Sequence, residues 1–223
     1  MMDNINIDKE KICILYTGKS EFINEIKKIK NYNNYNFIFS TWKGNESKYE
    51  KNDVVVFNDT SNLAIKTSLE LQRITILEGL KKSKELGFRR TLKLRDDLIP
   101  TNLDKFLELI NNENINILCW HEHNIGLPGY FVDYLISGET DLLIDVYSNI
   151  DINFHQVSEA PYTKSLLRYS DKIKFFLYDL NQNNNDLFWF RIGDFLSSYN
   201  PNLIHTSKYM HLENYENIKK EYL

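Results

Sequence analysis

Compact apolar runs separated by polar turns and helix-patterned stretches fill the first 120 residues. That alternation, more than any other feature, restricts the chain to an α/β fold with a mostly parallel sheet. The runs are Lys11-Ile-Cys-Ile-Leu-Tyr16, Asn36-Phe-Ile-Phe-Ser-Thr-Trp42, Asp53-Val-Val-Val-Phe57, Thr91-Leu-Lys-Leu94 and Asn114-Ile-Asn-Ile-Leu-Cys-Trp120. Runs so uniformly apolar suit strands covered on both faces. Between them, Glu21 to Lys30 carries Phe22, Ile23, Ile26 and Ile29 at helical spacing, with Ser20 as its N-cap. Ser68 to Leu86 is the longest expected helix, with Leu69, Ile76 and Leu80 on one face and Gly87 as its stop. Leu103 to Ile110 is a further helix.

The second part is less regular. Tyr130 to Ile136 reads as a sixth strand ended by Ser137-Gly138, and Asp141 to Tyr147 and Ala160 to Tyr169 read as helices. Lys172 to Tyr178 reads as a late strand, Leu187 to Ile192 as a strand or a helix start, and Tyr209 to Leu223 as a polar helix. At 223 residues, without a linker-like stretch or internal repeat, the expectation is one domain over 1–223. Its nucleotide-binding half covers about residues 11–120 and its acceptor half 121–223.

A hydrophobic fraction of 42% fits a packed core, and a net charge of −4 gives no support to a nucleic-acid partner. No apolar run reaches the length of a membrane span, and no apolar signal core opens the chain. Cys13 and Cys119 both fall inside predicted strands, as buried small hydrophobes. A reducing, cytoplasmic location is the expectation.

Thr17-Gly-Lys-Ser20 follows the first strand but lacks the upstream glycine of a phosphate-binding P-loop, so that reading is rejected. The turn can still touch a nucleotide, because it lies at a strand's carboxyl end. No glycine-rich dinucleotide fingerprint follows that strand, and no nucleophile elbow occurs. His121-Glu122-His123 has no third metal ligand nearby and reads as loop or pocket lining.

The densest chemistry is Arg90-Thr-Leu-Lys-Leu-Arg-Asp-Asp-Leu-Ile-Pro100. Alternation sends Leu92 and Leu94 to a core and Lys93 and Arg95 elsewhere. Lys93, Arg95, Asp96 and Asp97 then crowd the end of an inner strand, as a solvated ion-pair cluster or as a ligand site. In the ligand reading, Asp97 holds Mn²⁺ or Mg²⁺. Lys93, Arg95 and Arg73 meet a leaving diphosphate. A separate carboxylate would deprotonate an acceptor hydroxyl, and Glu159 and Asp133 are the candidates. A helix-start acid and a buried hydrogen-bonded Asp are the competing structural readings of those two.

Phe39-Ser-Thr-Trp-Lys43, Asp53-Val-Val-Val-Phe-Asn-Asp59, Leu71-Gln-Arg-Ile74 through Gly79-Leu80, Leu92-Lys-Leu-Arg-Asp-Asp97 and Val132-Asp-Tyr-Leu-Ile-Ser-Gly138 occur in an order that resembles the WavE lipopolysaccharide-synthesis family. It is also similar to GT-A glycosyltransferase domains, including one from large algal viruses. The resemblance spans roughly residues 11 to 170. It implies a GT-A-like (Rossmann-like) mixed, mostly parallel sheet, a nucleotide-sugar donor and a divalent metal. Lys93, Arg95 and Asp97 match the family's Lys-x-Arg-x-Asp motif. Asp97 takes the last position of the GT-A Asp-x-Asp motif, and Arg95 replaces its first Asp. His205 and His211 lie at the depth where GT-A enzymes carry a late His ligand.

The function expected is a hexosyltransferase-type glycosyltransferase of polysaccharide biosynthesis, with a UDP-sugar as the first choice of donor. The acceptor would be a hydroxyl of a glycan or lipid-linked saccharide. Thr17, Gly18 and Thr41 would pack the base, Asp59 would hold the ribose, and Asp97 would ligate the metal. The alternatives are a sugar-phosphate nucleotidyltransferase and a catalytically inactive binding module.

Overall fold

A computed structural model describes residues 12–29, 32–61, 67–100, 103–110, 113–120, 131–152, 159–178, 189–191 and 204–205. Its strands are β1 (Ile12–Thr17), β2 (Asn36–Trp42), β3 (Val55–Asn58), β4 (Arg90–Arg95), β5 (Leu98–Pro100), β6 (Ile115–Trp120), β7 (Phe131–Glu139), β8 (Ile173–Tyr178), β9 (Trp189–Arg191) and β10 (Ile204–His205). Its helices are α1 (Ile23–Ile26), α2 (Ser68–Glu85), α3 (Leu103–Ile110), α4 (Thr140–Ser148) and α5 (Glu159–Leu166).

Eight strands form one sheet in the order β10-β8-β6-β7-β4-β1-β2-β3. β1 pairs in parallel with both β2 and β4, β2 with β3, and β6 with β8. β7 is antiparallel to both its neighbours, β4 and β6. The expected mixed, mostly parallel sheet flanked by helices is the architecture observed.

β1 is buried along its whole length, as an inner strand covered on both faces must be. Ile12, Ile14 and Tyr16 join Leu92 and Leu94 in a core with Ile23 and Ile26 of α1 and Leu103 and Leu107 of α3. Cys13 and Leu15 face the other way, into a core with Leu69, Ile76 and Leu80 of α2, Leu143 and Val146 of α4, and Leu166 of α5. The period-two alternation of one strand thus defines both layers. Burial pushes the Cys13 thiol up to about 12, so it stays a protonated, inert core residue.

α2 is the helix that positions the site. Thr67 Oγ1 accepts the N–H of Glu70 and caps its start. At its end Gly87 sits at φ +84°, with Gly87 N–H donating to Lys84 O and Phe88 N–H to Ser83 O. That is the Schellman pattern, which glycine permits because it adopts a left-handed conformation without penalty. Gly79 lets the helix settle onto the sheet, since a Cβ there would lie 2.5 Å from Leu15 Cδ1 and 3.0 Å from Ser40 Cβ.

Several sequence expectations are corrected. The helix expected over 21–30 is a single turn, Ile23–Ile26, with no side-chain cap at Phe22. Ser20 is not its N-cap, because the Ser20 hydroxyl is engaged with Thr41 and Tyr49. The sixth strand does not end at Ser137-Gly138 but pairs on to Glu139, opposite Arg90. A Cβ at Gly138 would lie 3.3 Å from Leu143 Cδ2, a tight contact that a shift of a few tenths of an ångström would relieve. Pro100 does not close the extended segment alone, because Leu98–Pro100 pairs antiparallel with Trp189–Arg191 as a separate ribbon. The helix expected from Ala160 to Tyr169 ends at Leu166 and continues as a 3₁₀ segment, Leu167–Lys172. The tail helix, His121 to His123 and His211 fall outside the described residues.

Candidate functional site

The sheet order turns back on itself at β1: the chain moves outward through β2 and β3, then returns to lay β4 on the other side. Such a switch point opens a crevice at the carboxyl ends of the strands that diverge there. A cavity of about 430 Å³ lies at this place, between the carboxyl ends of β1, β2 and β4 and the amino-terminal half of α2. Thr17, Gly18, Lys93, Arg95 and Asp97 line it, so five sequence-designated residues share one wall system.

The turn after β1 is built by long-range bonds. Gly18 has φ +153° and Ser20 has φ +60°. The Ser20 N–H donates to Asp96 Oδ2 at 2.8 Å, and the Asp96 N–H donates to Thr17 O at 3.0 Å. A Cβ on Gly18 would overlap the Asp96 carboxylate. Ser20 Oγ donates to Thr41 Oγ1 at 2.8 Å, and Thr41 Oγ1 donates to Gly18 O at 2.9 Å. Asn45 Nδ2 also donates to Thr41 Oγ1, at 3.0 Å. The Thr41 hydroxyl is therefore saturated inside the turn, and Thr41 is not among the residues that line the cavity.

Asp96 serves the same turn. Burial, then the neighbouring Asp97 charge, raises its pKa above the ordinary carboxylate value, against the backbone N–H bonds of Glu21 and Ser20 that pull it down. Its carboxylate is thus turned to backbone donors.

Lys93 is 1% exposed and projects from β4 on the α2 side, flanked in the sheet by Leu15 and Ile136. A cation so deeply placed needs an anionic or polar partner, and Lys93 has one within the fold. Arg95 binds Asp97 side by side, Nε to Oδ1 at 2.7 Å and Nη2 to Oδ2 at 2.5 Å. Both side chains are mostly buried, at 22% and 13% exposure. The fork of the guanidinium matches the carboxylate, the geometry that makes such pairs strong.

Arg73 is on α2 but is not among the lining residues; its Nε is buried and makes no hydrogen bond among the described residues. Asp59 lies apart from the cavity, with its Oδ2 on Lys43 Nζ at 2.6 Å and its Oδ1 on the Ser61 N–H. The hydrogen bond from Lys43 and that from Ser61 hold its carboxyl well below the usual range. Asp133 is in β7, whose register sets Leu135 opposite Leu94. The amino end of β7 therefore lies at the cavity end of β4, and Asp133 with it. Glu159 opens α5, which packs against β7 and α4.

Sequence reasoning missed Trp42, Phe22, Lys19 and Gln72 as lining residues. Trp42 ends β2, so its position at a strand's carboxyl end was the available signal. Gln72 Oε1 is a buried acceptor without a hydrogen bond among the described residues. A second cavity, about 530 Å³, lies at the opposite ends of the strands between Tyr32, Phe37, Asp53 and Phe88. Its Lys27 is paired with Glu50 and Asp53, so it offers no uncompensated cation to an anionic ligand.

At Asp97, where the motif resemblance expects a divalent cation, the carboxylate is bound side by side by Arg95. Both Asp97 oxygens are held by Arg95, and Asp96 is held by the turn. Among the described residues no group of three His, Cys, Asp or Glu side chains converges on one point. Mg²⁺ and Mn²⁺ prefer several oxygen ligands, and of the three carboxylates that line the cavity, Glu21, Asp96 and Asp97, two are bound within the fold.

No protein-family model and no curated protein matches the chain. Among solved structures it is similar to a protein assigned as a nucleotide-diphospho-sugar transferase from Desulfovibrio desulfuricans, with 12% identity over 78% of this chain and 89% of that one and a TM-score of 0.47. It is similar to a glycosyltransferase involved in glycosylation of the major capsid of the virus PBCV-1, with 13% identity, 78% and 84% coverage and a TM-score of 0.46. It is also similar to a CMP:2-keto-3-deoxy-manno-octonic acid synthetase complexed with CTP, with 9% identity, 75% and 89% coverage and a TM-score of 0.47. No helix among the described residues is long and apolar enough to cross a membrane.

Proposed function

We propose that the chain is a glycosyltransferase of the GT-A type that moves a sugar from a nucleoside-diphosphate sugar to a hydroxyl of a glycan or lipid-linked saccharide. The observation that carries this reading is the cavity at the switch point between β1 and β4, with Lys93 buried in its wall and Arg95 beside it. The motif resemblance to the WavE family, noted above, points the same way and favours a hexosyl donor, with UDP as the first base to try.

The chemistry is a displacement. The acceptor oxygen forms a bond to the anomeric carbon, the bond from that carbon to the diphosphate oxygen breaks, and the nucleoside diphosphate leaves with the negative charge. Lys93 and Arg95 stabilise that charge as it develops. Trp42 and Phe22 offer apolar surface to the base, and Gln72 Oε1 offers an acceptor to a donor hydroxyl. In an inverting reaction a carboxylate takes the acceptor proton, and Glu159 and Asp133 are the candidates.

The test is a panel of UDP-, GDP-, dTDP- and CMP-sugars incubated with the full chain, reading the released nucleotide and the sugar product. Release of a nucleoside diphosphate from one donor supports the reading. Release of pyrophosphate from a nucleoside triphosphate and a sugar phosphate would replace it with nucleotidyl transfer. No turnover, together with no binding of any nucleoside diphosphate, would sink it.

A further inference from the structure

We infer that the second cavity, at the amino ends of the strands, is a binding site for an uncharged saccharide. The inference stands apart from the transferase reading, because it concerns the opposite end of the sheet from the switch-point cavity.

At about 530 Å³ the cavity is within the range of about 300–1,000 Å³ that small-molecule sites occupy. Its wall is built on an aromatic row. Tyr32 stacks on Phe37 with ring centroids 4.3 Å apart and planes within 8°, and Phe37 stacks in turn with Tyr16 and Phe39. Tyr16 and Phe39 are buried, so the row is anchored in the core and Tyr32 is its half-buried outer member. Phe88, also half-buried, lines the cavity from the turn after α2.

The rim is polar, and its charges answer one another. Lys27 Nζ donates to Glu50 Oε1 at 2.9 Å and to Asp53 Oδ2 at 2.7 Å, and the Glu50 N–H also donates to Asp53 Oδ2. These three are the charged residues of the wall. The two carboxylates oppose an anionic ligand, and the ammonium they share opposes a cationic one. Glu50 Oε2 and Asp53 Oδ1 accept no hydrogen bond among the described residues. Asn33 and Asn52 add exposed amides to the same rim. Burial, then the Asp53 and Glu50 charges, keep the Tyr32 hydroxyl protonated and so a donor.

Aromatic surface edged by amides, a phenol and carboxylate oxygens suits a pyranose. The C–H face of the sugar covers a ring, and its hydroxyls, donors and acceptors at once, meet the rim. A wholly apolar ligand would strip water from the rim groups and leave them unpaired.

Saturation-transfer NMR and calorimetry of the full chain test this, with maltose, cellobiose, lactose and N,N′-diacetylchitobiose as probes and putrescine as a cationic control. The expected result is binding of at least one disaccharide, weakened about tenfold or more in Tyr32→Ala and about threefold in Asn52→Ala. Asn52 is exposed, so its variant reports on binding without a demand on the core. No binding of any disaccharide at tens of millimolar would overturn the inference. So would binding that neither variant weakens, or putrescine bound in preference to every sugar. Each of these results leaves the transferase reading standing, since that reading turns on nucleotide binding at the other cavity.

Discussion

Ser20 and Asp96 are 76 residues apart in sequence, yet the Ser20 N–H donates to Asp96 Oδ2 at 2.8 Å. This bond ties the turn after β1 to the end of β4 and so closes the floor of the cavity. Gly18 is the residue it depends on most. Gly18→Ala places a Cβ against the Asp96 carboxylate at a backbone angle that other residues rarely adopt. We expect a loss of about 1–3 kcal/mol in urea unfolding and a larger proportional loss of nucleotide affinity, because the turn must move. An unchanged unfolding midpoint would contradict this geometry.

Asp96 also predicts a pH dependence. Its native pKa lies above the ordinary 3.8, chiefly through burial. Between 3.8 and the raised native value the folded chain binds more protons than the unfolded chain. This group's contribution to stability therefore falls as pH rises through that window, and the full penalty is present above the native pKa. Asp96→Asn does not titrate. Urea unfolding across the mildly acidic range should show a wild-type-minus-variant difference that slopes downward with pH; parallel curves would refute the assignment.

Lys93 is buried at 1% exposure in the cavity wall. Lys93→Met keeps the apolar stem and removes the charge. Affinity for every nucleoside diphosphate and for pyrophosphate should drop about tenfold or more, to a similar extent whatever the base. Selective loss for one base would place Lys93 elsewhere in the recognition.

Trp42 should give the opposite pattern. Base–aromatic stacking contributes about 1–3 kcal/mol. Trp42→Ala should therefore weaken nucleoside diphosphates about tenfold while leaving pyrophosphate binding unchanged. Equal losses for both probes would mean that Trp42 supports the fold of the cavity and not the base.

Gly79 tests the seating of α2. A Cβ there meets Leu15 at 2.5 Å and Ser40 at 3.0 Å. Gly79→Ala should destabilise the fold by about 1–3 kcal/mol by overpacking, despite alanine's better helix propensity. A stabilised variant in thermal unfolding would show that the helix can lift off the sheet freely.

The order of elements was legible because each inner strand is covered on both faces and its apolar run says so. Alternation alone sent Lys93 and Arg95 away from Leu92 and Leu94, and the chain keeps that division. The role of Asp96 was not legible, since its partners are on a turn 76 residues earlier and only the sheet brings them together. Thr41 looked available for a base, but its hydroxyl closes the turn through Gly18, Ser20 and Asn45. Ser20 looked like a helix cap for the same reason: a local pattern was outcompeted by a distant partner. Asp59 followed a strand's end as a ribose-binding acid would, but Lys43, on the loop after β2, takes its charge.

The segment directly after Asp97 has its strand partner near the far end of the described chain, with Leu98 opposite Arg191 and Pro100 opposite Trp189. During synthesis, β1 to β4 can pair as soon as they emerge, but the strand that follows Asp97 waits for its partner until translation has passed residue 191. A nascent chain stalled before that point carries a nearly complete sheet with an unanchored rim beside the cavity.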